Sequence, residues 1–119
     1  MPANEFLTEE GCWISELYGT PSDEAVSVAR ARVEPGVETA LHTLTVEERW
    51  LVVEGRGLMT IGDAPPFEIG PGSSVRIPAG APQGVFNPGP ADLIFLCVCT
   101  PRFVPATYRE LRPPSRRGS

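Results

Sequence analysis

The chain has 119 residues, 41% of them hydrophobic, and carries 15 acidic against 10 basic side chains for a net charge of −5. That fits one domain with enough apolar material for a core, and it excludes a disordered chain. An acidic surface repels phosphate backbones and anionic bilayers, and no apolar run approaches the ~20 residues that span a membrane, so neither nucleic acid nor membrane is an expected partner. The acidic N-terminus lacks the charged-then-apolar pattern of a secretion leader, and a cytoplasmic location is expected.

Three cysteines, Cys12, Cys97 and Cys99, form an odd set. Cys97 and Cys99 lie two apart in an apolar run, where strand geometry sets them side by side on one face and not in bridging position. All three read as small buried hydrophobes. The 14 Pro and 12 Gly break the chain into short apolar or alternating segments, the mark of many short strands joined by turns.

In chain order, 12–17 alternates apolar and polar residues and reads as a first strand. The run 25–33 (AVSVARARV) places Val26, Val28 and the stems of Arg30 and Arg32 on one side, with Ala25, Ser27, Ala29, Ala31 and Val33 on the other. Pro35-Gly36 is a turn. Strands follow at 39–45 and 50–54, with a bend at 45–47 between them. Gly55-Arg56-Gly57 turns the chain into 58–61, and Gly62-Asp63 turns it again. Segments 67–69, 74–77, 85–87 and 92–100 bring the total to about ten strands. Only 105–111, opened by Pro105, carries a helical signal. Residues 113–119 read as a loose solvated tail, although Arg109, Arg112, Arg116 and Arg117 make this end of the chain basic.

Two runs carry the chemistry. The first reads Gly36, five residues, His42, one residue, Leu44, three residues, Glu48, six residues, Gly55. The second reads Gly72, five residues, Pro78, Ala79, Gly80, two residues, Gln83, three residues, Asn87, and sixteen residues separate it from the first. Together they resemble the paired signature motifs of the cupin family, with His42, Glu48, Gly55, Gly72, Pro78, Gly80 and Asn87 all at that family's offsets. The resemblance implies an all-β, single-domain cupin barrel, a double-stranded β-helix of jelly-roll type. The matched runs and what they bracket cover 36–87, and the expected single domain is 1–119 with its barrel core over about 25–100. Two positions depart from the pattern. Leu44 stands where the family has a second histidine and Gln83 where it has a third, and His42 is the sole histidine in the sequence. The family's usual shell of three histidines and a glutamate therefore cannot form.

Residues two apart on a strand share a face, so His42 points with Leu44, and Glu48 points with Trp50 and Val52. The resemblance brings Gln83 back to the same centre after the Pro78-Ala79-Gly80 turn. The expected site has His42 and Glu48 as catalytic groups, with Trp50, Gln83 and Leu44 contacting the ligand. Glu47 faces the other way, to solvent.

Three functions fit these residues. One is a metal-dependent enzyme of dioxygenase, isomerase or lyase type, in which His42, Glu48 and Gln83 hold Fe, Mn, Ni or Zn weakly and water or substrate completes the shell. The second is a metal-free acid–base isomerase using His42 and Glu48. The third is a non-catalytic cupin that binds or senses a small molecule, which the apolar Leu44 at a ligand position favours. With a single histidine, neither Ser73, Ser74 nor Cys97 has a second imidazole to activate it as a nucleophile. Each reading places a small organic molecule in the barrel mouth. The resemblance also implies a homodimer formed through an outer sheet edge, with Cys12, Trp13 and Ile14 as candidate contacts.

Overall fold

The computed structural model describes residues 4–19 and 22–117. In chain order the strands are β1 (Phe6–Leu7), β2 (Trp13–Tyr18), β3 (Ser27–Val33), β4 (Val37–Glu38), β5 (Leu41–Leu44), β6 (Glu47–Glu54), β7 (Gly57–Ile61), β8 (Phe67–Ile69), β9 (Ser74–Ile77), β10 (Gln83–Phe86), β11 (Leu93–Thr100), β12 (Tyr108–Arg112) and β13 (Ser115–Arg116). They form two antiparallel sheets. One runs β1-β2-β3-β11-β6-β9 and the other β12-β5-β10-β4-β13, with β7 bridging β10 to β8. Among the described residues no helix is long and apolar enough to cross a membrane.

The register of β3 against β11 explains how the interior is divided. Its inward pairs are Leu93 with Val33, Phe95 with Ala31, Cys97 with Ala29, and Cys99 with Ser27. The first pair is large, and there the barrel is packed solid by Val33, Val52, Met59, Ile69, Val85 and Leu93. The last two pairs are small, so the sheets enclose space at that end that no side chain fills.

Two motif residues act as fasteners. Gly55 has φ +77°, and an added Cβ would collide with the Asp92 carbonyl, so only glycine makes this turn from β6 to β7. Asn87 is fully buried; its Nδ2 donates to Val33 O and Ala91 O, both at 2.9 Å, and its Oδ1 accepts the Gly89 N–H at 2.7 Å. It ties the end of β10 to the end of β3.

Three expectations are corrected. Segment 105–111 forms only a 3-10 turn over Pro105–Thr107, after which Tyr108–Arg112 adds to β5 as an edge strand. The alternation of Tyr108, Glu110 and Arg112 with Arg109 and Leu111 suits a strand paired along one edge better than a helix. The tail is not loose over 115–117. Ser115 and Arg116 pair with Glu38 and Val37, Arg116 bonds Glu34 at 2.8 Å, and Arg117 bonds Glu38 at 2.7 Å with its guanidinium 4.3 Å over the Phe86 ring. Positions 118 and 119 lie outside the described residues. Finally, the strand expected at 39–45 is the shorter Leu41–Leu44, with β4 ahead of it at Val37–Glu38 and the Ala40 N–H between them bonding Glu10 O at 2.8 Å.

Replacing Asn87 with Ala leaves Val33 O, Ala91 O and the Gly89 N–H without their partner. Denaturant unfolding is expected to show a loss of about 2–4 kcal/mol. A loss below about 0.5 kcal/mol would contradict the fastening role.

Candidate active site

The unfilled end of the barrel is a cavity of about 450 Å³, within the usual range for small-molecule sites. Its mouth carries exposed Phe6, Leu7, Glu9, Glu16 and Tyr18, and deeper inside it is lined by His42, Leu44, Glu48, Trp50 and Gln83. All five expected site residues therefore face one space. β5 and β10 place Gln83 directly across from His42, and β6 presents Glu48 and Trp50 from the opposite sheet. The Gly80 N–H donates to Leu44 O at 2.7 Å, which fixes the turn that starts β10. Glu47 is on the far side of β6, where it pairs with Arg49 and Arg76.

His42 is 3% exposed, and its Nδ1 lies 2.9 Å from Ala40 O. A carbonyl only accepts, so Nδ1 carries the hydrogen and Nε2 keeps a free lone pair. Burial holds the imidazole pKa below its ordinary value, against the pull of Ala40 O and Glu48. The ring stacks on Tyr108, centroids 4.9 Å apart.

Glu48 is 7% exposed, and burial raises its pKa to about 7. The charge of Glu10 pushes in the same direction, and His42, Trp50 and Gln83 pull against it. The pull is incomplete: Glu48 Oε1, Trp50 Nε1 and Gln83 Oε1 are buried and lack a hydrogen-bond partner of good geometry.

Sequence reasoning missed Glu10. It stands in the turn between β1 and β2, which is closed by the Thr8 N–H to Cys12 O at 2.9 Å and the Gly11 N–H to Thr8 O at 3.1 Å. Glu10 Oε2 is 3.7 Å from His42 Nε2, and its pKa is also raised to about 7 by burial. Its side chain keeps 24% exposure, so Glu48 is the deeper acid. The one signal was Gly11, a glycine able to fold an acidic segment back; Glu10 lies outside both motifs. Tyr108 was missed because 105–111 read as a helix.

The cysteines are free and buried, as read. Burial drives the Cys12 and Cys97 thiols well above their ordinary pKa and Cys99 to about 12, so none supplies a thiolate. Cys12 faces the cavity, which removes it from the outer contacts proposed for a dimer.

The donor set does not fit a resident metal ion. The one imidazole offers a single nitrogen, Nε2, Leu44 offers no donor, and Gln83 offers a neutral one. Among the described residues no three His, Cys, Asp or Glu side chains are grouped closely enough to bind an ion. The expected shell of His42, Glu48 and Gln83 shares one cavity wall and offers an ion one imidazole, one carboxyl and one neutral amide.

Fold and site together define a double-stranded β-helix barrel with a titratable, largely apolar pocket. The family model for the Cupin domain matches residues 29–99, and this chain belongs to that family, in which metal binding is common. It is similar to the uncharacterized protein MJ1618 of Methanocaldococcus jannaschii, 37% identical over 101 residues that cover 82% of this chain and 80% of the relative. Among solved structures it resembles an uncharacterized protein with a double-stranded β-helix domain from Klebsiella pneumoniae (TM-score 0.74, 21% identity, 90% of each chain). It also resembles Streptomyces Pac13 with uridine (TM-score 0.74, 15% identity, 92% of this chain and 84% of that one), a protein described as a nucleoside dehydratase. The oxalate decarboxylase of Bacillus subtilis matches over 88% of this chain but only 29% of its own (TM-score 0.75, 22% identity). At these identities the structural likeness is one of fold.

The buried acids make stability depend on pH. The Glu48 carboxyl titrates near 4.5 in an unfolded chain and at about 7 when folded. Between those values the folded protein keeps a proton that the unfolded chain has released, so stability falls as pH rises through the window and levels off above it. His42 works the other way, since a depressed pKa destabilises as pH falls. Calorimetry from about pH 5 to about pH 8 is expected to show Tm declining, and the decline is expected to flatten in Glu48→Gln and Glu10→Gln. An unchanged slope in both variants would rule out buried protonated carboxyls.

Proposed function

We propose that this protein is a small-molecule enzyme working by metal-free acid–base catalysis, with His42 as the base and a protonated carboxyl, Glu48 or Glu10, as the acid. One observation carries the reading. An imidazole with its Nε2 lone pair free stands 3.7 Å from one carboxyl and shares a cavity with a second, both titrating at about 7. The burial that keeps the base neutral also keeps the acids protonated, so both partners are ready in the same pH range.

The reaction class that fits is proton transfer at carbon coupled to protonation of an oxygen: isomerisation, or elimination of water. His42 Nε2 takes the carbon-bound proton, and the carboxylic acid delivers one to the developing oxyanion or the leaving hydroxyl. The apolar walls, Leu44 and the Trp50–Phe95 stack at 3.7 Å, exclude water and hold the substrate's body. The dehydratase activity described for Pac13, a protein of the same fold, is compatible with this class.

The test is deuterium uptake at carbon from heavy water, read by mass spectrometry on a pooled library of small carbonyl and hydroxy compounds. His42→Ala is expected to slow exchange at least about a hundredfold, and strong chelators are expected to leave it unchanged. Rate against pH should be bell-shaped. It falls on the alkaline side as the acids ionise through about 7, and on the acid side as His42 protonates below the ordinary 6.5. Exchange that survives in His42→Ala, or that chelation abolishes and added metal restores, would defeat the proposal.

A further inference from the structure

The bonding capacity of the cavity is unbalanced. Glu48, Gln83 and Trp50 are each more than nine-tenths buried, line the cavity, and leave one polar atom without a partner. Two of those atoms are oxygens, Gln83 Oε1 and Glu48 Oε1, the latter an acceptor once its carboxyl is ionised, and only Trp50 Nε1 is a fixed donor. A buried acceptor needs a donor brought to it.

The charge is equally one-sided. All 10 basic residues are arginines, and none lines the cavity, whereas Glu10 and Glu48 both do. Six of the arginines are engaged elsewhere by carboxylates: Arg30 and Arg32 by Glu5, Arg49 and Arg76 by Glu47, Arg116 by Glu34 and Arg117 by Glu38. A carboxylate entering the barrel would meet like charges and no guanidinium. A cation would meet two carboxyls and the rings of Trp50 and Phe95, whose faces attract positive charge.

We infer that the cavity takes an organic cation: a protonated amine whose N–H groups donate to Glu48 Oε1 and Gln83 Oε1, and whose apolar body lies against Trp50 and Phe95. Trp50 Nε1 is then left to donate to an oxygen on that body. The inference rests on the cavity being the reactive site, and it narrows that reading. A Glu48 that holds a cation is ionised, so Glu10, beside His42 Nε2, is the group that delivers the proton.

Three probes of one shape and different charge test this: phenethylammonium, phenethyl alcohol and hydrocinnamate. Binding is measured by calorimetry at about pH 8, where both carboxyls are largely ionised. Phenethylammonium is expected to bind at least about tenfold tighter than the alcohol, and hydrocinnamate more weakly than either. Glu48→Gln should close the gap, bringing the cation's affinity down at least about tenfold relative to the alcohol's. If that variant does not fold, the probe series on the unaltered protein decides. Equal affinity for the three probes, tighter binding of hydrocinnamate, or no binding of phenethylammonium up to about 10 mM overturns the inference. Any of these with deuterium exchange still dependent on His42 removes the substrate class and leaves the reactive site. Cation selectivity with exchange persisting in His42→Ala does the reverse.

Discussion

The site depends on a gradient of side-chain volume along one antiparallel ladder. From Leu93–Val33 to Cys99–Ser27, the inward pairs of β11 and β3 shrink until they no longer span the gap between the sheets. The same emptiness does two jobs. It leaves room for a molecule, and it surrounds Glu48 and His42 with protein and little water. Desolvation then opposes charge on each of them, raising one pKa and lowering the other. A barrel filled at this end with valine and leucine, as it is at the other, would have neither the space nor the reason to place these groups inside.

Backbone, not side chains, fixes how the imidazole is used. Ala40 departs from the ladder, giving its N–H to Glu10 O and its carbonyl to His42 Nδ1. One residue therefore positions the missed acid and selects the tautomer of the base. A metal-binding cupin would use the imidazole lone pair for an ion; here that lone pair points to a carboxyl.

The barrel could be read from the sequence because its motif residues have strict backbone tasks. Gly55 needs a positive φ beside the Asp92 carbonyl, and Asn87 needs three main-chain partners, so their spacing carries the fold. The convergence of His42, Leu44, Glu48, Trp50 and Gln83 could be read as well, since strand alternation sets His42 with Leu44 and Glu48 with Trp50, and the motif resemblance brings Gln83 to them. Glu10 and Tyr108 could not. Each is brought in by a segment outside the motifs whose position depends on edge pairing, β1 and its turn in one case and β12 in the other. Edge pairing is set by the partner strand's open hydrogen bonds, which local periodicity does not encode. The ordered end of the chain was hidden for a similar reason: Pro113-Pro114 signals a break, and what re-engages Arg116 and Arg117 is a pair of glutamates about eighty residues earlier.

Two segments far apart in sequence, the turn at Glu10 and residues 115–117, meet on one short stretch, 36–40. Glu10 O holds the Ala40 N–H, Ser115 pairs with Glu38, and the Arg117 N–H donates to Gly36 O at 2.6 Å. This stretch leads directly into the strand that carries the imidazole. A change in either segment therefore presses on the same few peptide bonds ahead of His42.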